Sequence, residues 1–148
     1  MKLSSDQADH VIRAAQARAT QLGVAAAIAV LDTGGHLKAF VRMDGAWLGA
    51  IDVAIRKART SVLFEASTEQ IGEVCKPDAE AHGLELTNDG LVTFGGGLPL
   101  QDAHGALRGA VGVSGGHVNQ DKAIATEAQQ AWREQCALPA GECIQGEQ

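Results

Sequence analysis

The spacing of apolar side chains changes period several times along the chain, and each period predicts a different element. From Ser4 to Leu22 the apolar residues recur at helical spacing. Ser4 and Gln7 are spaced to form a capping box at the start, and Gly23 suits a left-handed position after the end. We predict a first helix over residues 4–22.

A β-hairpin is predicted next. The run VAAAIAVLD, residues 24–32, is short and continuously apolar, as in a strand that is buried on both faces. A glycine-rich turn, TGGH, separates it from LKAFVRM, residues 37–43, in which apolar and polar side chains alternate with the period of a strand. The two segments are predicted to pair antiparallel, with Arg42 near the end of the second strand.

The remaining segments are predicted as helices, a surface connection and strands. The helical period returns from Ile51, and a short helix is expected to begin at Thr68, whose hydroxyl is placed to cap it. Residues 76–90 mix proline, glycine and acidic residues without a sustained period, which is typical of a surface connection. Strand-like segments follow at LVTFGG (91–96), LPLQD (98–102) and LRGAVGVSG (107–115), and a final helix is expected to start near residues 119–121.

These elements predict one domain over residues 1–148, of the α+β class, with a five-stranded, mainly antiparallel sheet and helices packed on it. A length of 148 residues is typical of a single domain. We expect residues 139–148 to form a frayed tail. Aromatic residues make up only 3% of the chain and glycine counts 18, so the core must consist of small aliphatic side chains in close contact.

Charge and cysteine usage exclude several classes of function. The chain has 12 basic and 18 acidic residues, a net charge of −6, and no cluster of cations, so nucleic acid is not an expected partner. No apolar run approaches the roughly 20 residues that span a bilayer. The opening MKLSSDQADH lacks the apolar centre of a signal peptide, and we expect a cytoplasmic protein without a membrane partner.

The three cysteines, Cys75, Cys136 and Cys143, match no zinc-binding spacing. We expect them to be free thiols.

Arg42 and Asp44 are the first candidates for chemistry. The guanidinium of Arg42 is a planar, permanently charged fork that suits a carboxylate or a propionate. Asp44 is suited to receive a proton or to hold that fork in place. The alternative is a structural ion pair that closes the turn between a strand and a helix.

The second candidate is the segment GGGLP, residues 95–99. Gly96 and Gly97 lack side chains, so their backbone N–H groups can approach an anion closely. A simple bend or bulge explains the same glycines. The segment has neither the G-x-G-x-x-G order of a dinucleotide loop nor the Lys-Ser/Thr of a P-loop, which disfavours nucleotide binding.

The third candidate is GVSGGHVNQD, residues 112–121. Ser114 and Gly115 end a strand, and His117 comes just before a helix whose N-terminal end favours an anion. His117 is suited to coordinate a metal or haem iron or to shuttle a proton, or is exposed and passive. His36 lies in a glycine-containing turn, and no two histidines have helical i, i+4 spacing, which disfavours a dedicated zinc enzyme. Lys57 either reaches the same rim or is solvated on its helix.

Four ordered motifs resemble the GlcG/HbpS family: AVLDTGGHLKAFVRMDGA, IDVAIRKARTSVLF, GGGLPL and LRGAVGVSGGHVNQDKAIA. This family includes glycolate-operon GlcG proteins, the secreted haem-binding HbpS and the C-terminal domain of PduO-type proteins. The resemblance implies a profilin-like, three-layer α/β/α fold, homo-oligomers from dimer to octamer, and haem binding by some members. His117 does not carry over, since many relatives have a small polar residue there, and the absence of a secretion signal departs from HbpS. The characteristic positions that match are the Arg42–Gly45 corner with Asp44, Lys57, Gly96, Pro99, Ser114, Gly115 and Asp121.

Two functional hypotheses remain open, with a purely structural assembly subunit as a third. The first is a non-catalytic protein that binds haem or a small ligand and is accessory to a catabolic pathway. Arg42 and Lys57 would supply cations, and His117 or His36 would be the haem iron ligand. The second is a cofactor-independent enzyme, of the proton transfer, isomerase or lyase type, acting on a small carboxylate-bearing metabolite. Arg42 would hold the carboxylate, and Asp44 or His117 would move a proton.

Overall fold

A computed structural model describes residues 2–137 of the chain. The predicted frayed tail at 139–148 and Cys143 lie outside the described residues. No helix within the described part has the length and apolar character needed to cross a lipid bilayer. The elements in chain order are α1 (Ser5–Gln21), β1 (Ala27–Asp32), β2 (Leu37–Arg42), α2 (Gly49–Phe64), α3 (Thr68–Cys75), a 3-10 helix (Leu84–Leu86), β3 (Gly97–Gln101), β4 (Leu107–Ser114) and α4 (Val118–Ala137).

The strands form one antiparallel sheet in the order β2-β1-β4-β3. Strand β1 lies between β2 and β4, and residues 27–31 of β1 are almost completely buried, as its continuous apolar run predicts. Asp32 pairs with Gly109, so the turn of the β1–β2 hairpin and the turn of the β3–β4 hairpin lie at the same edge of the sheet. We call this edge, with residues 32–38 and 101–109, the hairpin edge.

The prediction of a five-stranded sheet is wrong: residues 2–137 form a sheet of four strands. The segment 91–96, predicted as a strand, is irregular, although the fold class is α+β as expected. The N–H of Val92 donates to the hydroxyl of Thr60 at 3.1 Å, a side-chain partner in place of a strand. Gly96 has φ +122°, which departs from strand geometry and ends the irregular segment just before β3.

Helices cover both faces of the sheet. Helices α1 and α4 pack with alternate residues of the strands, such as Ile28 and Val113, on one face. Helix α2 packs on the other face against Ala27 and Ala110. The contact with α2 is close because Gly112 faces it, and a Cβ atom at Gly112 would collide with the carbonyl oxygen of Ala54. Small residues therefore set the distance between layers, as the composition predicts.

The helix caps agree with the sequence at α1 and differ at α3. The predicted capping box between Ser4 and Gln7 is present. At α3 the N-cap is Ser67, which forms a capping box with Gln70, so the prediction that Thr68 caps this helix is wrong. The hydroxyl of Thr68 is buried and accepts the backbone N–H of Gly97 at 2.9 Å.

Candidate functional site

The segment that leaves β2 and the segment that leaves β4 meet at one edge of the sheet, opposite the hairpin edge. Ala27 pairs with Arg42 on one side and Ser114 on the other, so the three side chains share the face that packs against α2. Beyond this row, a Cβ atom at Gly45 would lie 3.7 Å from the Cβ of Ala25, and one at Gly115 would lie 2.5 Å from the Ala25 carbonyl oxygen. Both turns thus contact Ala25. We call residues 42–48 and 114–118 together the corner surface.

The corner surface carries charged and apolar groups that are open to solvent. Arg42 and Asp44 are both exposed, and no ion pair joins them within residues 2–137, so a structural salt bridge does not close this turn. Trp47 is 80% exposed and Leu48 is 71% exposed. Val118, at the start of α4, is 43% exposed. Large exposed apolar groups on one edge of a sheet are typical of a binding surface.

His117 is held by its backbone while its ring stays exposed. Its N–H donates to Oε1 of Gln120 at 2.9 Å, and the neighbouring N–H of Gly116 donates to Oδ1 of Asp121 at 2.9 Å. These bonds fix the turn before α4. They also occupy backbone N–H groups that were expected to be free to bind an anion at the start of this helix. The imidazole has no hydrogen-bond partner in the described part of the chain. Both ring nitrogens are therefore accessible to a ligand.

Lys57 is completely buried, which excludes the solvated alternative. Its Nζ donates to the carbonyl oxygen of Val113 at 2.7 Å and to Oδ2 of Asp121 at 3.2 Å, and it lies 5.0 Å from the centre of the Phe94 ring. Burial lowers the pKa of Lys57, with the Asp121 carboxylate acting in the opposite sense. Burial raises the pKa of Asp121, and the charge of Lys57 opposes that rise. The ammonium has no exposed surface with which to contact a ligand.

Gly96 and Gly97 cover this ion pair. A Cβ atom at Gly96 would lie 2.6 Å from Nζ of Lys57, and one at Gly97 would lie 2.6 Å from the Lys57 carbonyl oxygen. The N–H of Gly97 is already bonded to Thr68. A cavity of about 120 Å³ lies on this segment, with Glu69 among its lining residues. In this conformation the two glycines allow close packing on Lys57.

His36 lies at the hairpin edge, separated from Arg42 by the length of β2, roughly 17–20 Å for six residues. Its side chain is 81% exposed, and its Nδ1 lies 3.4 Å from Oδ1 of Asp32. The structure therefore places Arg42, Asp44, Ser114, Gly115 and His117 at one edge of the sheet and leaves His36 at the opposite edge. No group of three or more His, Cys, Asp or Glu side chains suited to a metal ion occurs within residues 2–137.

Trp47 and Leu48 are candidate ligand contacts that the sequence interpretation did not single out. They stand between the Arg42 turn and the helical period that begins at Ile51, so they belong to neither pattern. Their position in the sequence could have identified them, because two large apolar residues interrupt a turn where polar residues are usual.

Comparison with known proteins places this geometry in a family. A family model described as "Haem degrading protein HbpS-like" matches residues 3–130. A 15.0 kDa protein from the dhaT–dhaS intergenic region of Citrobacter freundii is 38% identical over 122 residues, which cover 82% of this chain and 85% of that protein. The corrinoid adenosyltransferase PduO of Citrobacter freundii is 38% identical over 129 residues, which are 86% of this chain but only 38% of PduO. The crystal structure of a PduOC–haem complex has a TM-score of 0.83 and 38% identity, and the match covers 88% of this chain and 95% of that chain.

Proposed function

The chain belongs to the HbpS-like family, and from this premise we propose that it binds haem at the corner surface. The similar chain of the PduOC–haem complex supports haem as the ligand, because its match covers 88% of this chain. The observation that carries the proposal is the exposed Trp47 in the turn that follows Arg42, a residue without an ion pair within residues 2–137, on the edge of the sheet that also presents His117.

The residues of the corner surface fit the chemical needs of haem. A porphyrin needs apolar contacts, cations for its propionates and a donor to iron. Trp47, Leu48 and Val118 offer apolar contacts, and each is more than 40% exposed. Arg42 offers the guanidinium for a propionate. His117 offers an imidazole whose ring has no other partner within residues 2–137.

Two of the residues first considered as haem contacts, Lys57 and His36, lie where they cannot contact a ligand at the corner surface. Lys57 is buried against Asp121, so Arg42 is the cation that we assign to the propionates. His36 is separated from Arg42 by β2, so His117 is the iron ligand that we assign. Bound haem supplies an iron centre for redox or oxygen chemistry, and the contribution of this chain is to hold and orient it.

A hemin titration followed by absorbance tests the proposal. We expect saturable binding by the unmodified protein. The affinity for hemin should fall by about tenfold or more in each of two variants. Arg42→Ala loses a charge-assisted bond to a propionate, and Trp47→Ser loses a large apolar contact with the porphyrin. Arg13→Ala and Leu86→Ser are matched controls, since both residues are exposed and lie outside the corner surface. A spectrum identical to that of free hemin at every protein concentration would end the proposal.

A further inference from the structure

A second cavity, of about 460 Å³, lies at the hairpin edge. It is lined by cationic and polar groups from three parts of the chain: Lys2 before α1, His36 and Lys38 from the first hairpin, and Arg108 from β4. Its volume is within the roughly 300–1,000 Å³ that is typical of small-molecule sites. Because it lies at the opposite end of the sheet from the corner surface, it is separate from the proposed haem site.

The ammonium groups of Lys2 and Lys38 make no ion pair within residues 2–137. Arg108 also lines the cavity, and its guanidinium binds Oδ2 of Asp102 through Nε at 2.9 Å and through a terminal nitrogen at 2.7 Å. These two charge-assisted bonds to one carboxylate oxygen fix the orientation of the guanidinium. Two lysines whose ammonium groups make no ion pair within residues 2–137 therefore line one cavity in a chain whose net charge is −6.

Asp32 is the acidic residue among the lining groups, and its carboxylate is already engaged. Its Oδ1 accepts the N–H of Gly34 at 2.9 Å and the N–H of His36 at 3.0 Å. Burial alone would raise the pKa of Asp32, but these two bonds and the neighbouring His36 ring hold that pKa below its usual value. The carboxylate thus stabilises the turn, and its charge offsets only part of the cationic charge of the two lysines.

We propose that this cavity binds a small organic anion that carries a carboxylate or phosphate group, with the ammonium groups of Lys2 and Lys38 as its principal partners. Ammonium groups form short, charge-assisted hydrogen bonds to such oxygens. The exposed ring of His36 lies at the same cavity and adds a further polar contact. The two lysines at this cavity, in a chain whose net charge is −6, favour an anion over a neutral ligand.

Titrations of the ¹⁵N-labelled protein with malonate, inorganic phosphate and malonamide, at constant ionic strength, test this site. Malonate or phosphate should produce saturable shifts of the amide signals of Gly34, His36 and Leu107. Malonamide has the size of malonate without its charge and should produce none. Tighter binding of malonate would assign a carboxylate ligand, and tighter binding of phosphate would assign a phosphate ligand.

Lys38→Gln and Lys2→Gln should each weaken binding by about tenfold, through loss of one charge-assisted bond. Lys76→Gln is the matched control, because Lys76 is an exposed lysine on a different part of the surface. Unchanged amide signals elsewhere would show that each variant is folded. Shifts that never saturate, equal shifts with malonamide, or unaltered affinity in the Lys2→Gln/Lys38→Gln double variant would overturn the proposal.

Discussion

Lys57 and Asp121 lie 64 positions apart in the chain and form a buried ion pair beneath Gly96. The sequence pattern could not predict this pair. Helical periodicity assigns lysines to the solvent side unless a partner is known, and nothing local links the middle of α2 to the start of α4. The family resemblance identified both residues as characteristic positions, but it did not predict that they contact each other. The pairing follows from the order of the strands, which brings the end of β4 over α2.

Breaking this pair should destabilise the fold strongly. We expect Lys57→Met, or Asp121→Asn, to lower the free energy of unfolding by about 3–5 kcal/mol, because each leaves a buried charge without its partner. The double variant should recover at least half of that loss, since it removes both charges. Urea unfolding of the four proteins measures these differences.

Lys122→Met is the matched control for this cycle. Lys122 binds Glu69 at 2.8 Å between α4 and α3, and both side chains are partly exposed. Its loss should cost less than about 1 kcal/mol, as for other exposed ion pairs. Equal losses for Lys122→Met and Lys57→Met would contradict the account of the buried pair.

The pH dependence of Lys57→Met should differ from that of the unmodified protein. Burial already raises the pKa of Asp121 in the folded state, and removing Lys57 removes a charge that opposes this rise. A carboxyl whose folded pKa exceeds its unfolded value favours the folded state at acidic pH and loses that contribution as pH rises through the folded pKa. The stability deficit of the variant should therefore be smallest near pH 4 and increase towards neutral pH.

Unfolding free energies measured in urea from about pH 4 to pH 8 would test this dependence, since the unfolded pKa of an aspartate is about 3.9. The control is the double variant with Asp121→Asn, in which the increase should disappear. A deficit that is constant across this pH range would show that Asp121 does not carry the effect.

At the scale of the elements, small residues decide how closely helix α2 approaches the sheet. Gly112 in β4 faces Ala54 and Ala58 of α2, and a Cβ atom there would lie 2.6 Å from the backbone nitrogen of Ala58. This contact keeps Lys57, which directly precedes Ala58 on the same helix, within reach of Val113 and Asp121.

Gly112→Ala should lower the free energy of unfolding by about 1–3 kcal/mol or more, because the added methyl group forces α2 away from β4. Gly49→Ala, at the first residue of α2, is the matched control, since nothing lies within 4 Å of a Cβ atom there. That substitution should leave stability equal or slightly higher. Thermal unfolding followed by circular dichroism measures both, and a Gly112→Ala protein as stable as the unmodified one would refute the close contact.

The sequence predicts most of the elements but not the number of strands. The period of α1, the capping box at Ser4, and the hairpin of β1 and β2 are each determined by neighbouring residues, so local patterns predict them. The segment 91–96 has strand-like composition, yet the hydroxyl of Thr60 provides a hydrogen bond for Val92 from another element. Such a long-range partner overrides local propensity.

At the scale of the molecule, the sheet separates two surfaces of different chemistry. One end presents the corner surface, which local motifs predicted in part through Arg42 and His117. The other end presents the cationic cavity with Lys2 and Lys38, which comes from separate parts of the chain and could not be predicted from local patterns. If the two sites are independent, malonate or phosphate at saturating concentration should leave the affinity for hemin unchanged.

The absorbance spectrum of the ferric haem complex tests the central claim most directly, when it is compared among His117→Ala, His36→Ala and His104→Ala. His104 is an exposed histidine in the turn between β3 and β4, at the hairpin edge. His36→Ala and His104→Ala should retain the spectrum of the unmodified complex. His117→Ala should lose the features of an imidazole-bound iron, and added free imidazole should restore them. An unaltered spectrum in His117→Ala, or its loss in His36→Ala alone, would contradict the assignment of haem to the corner surface.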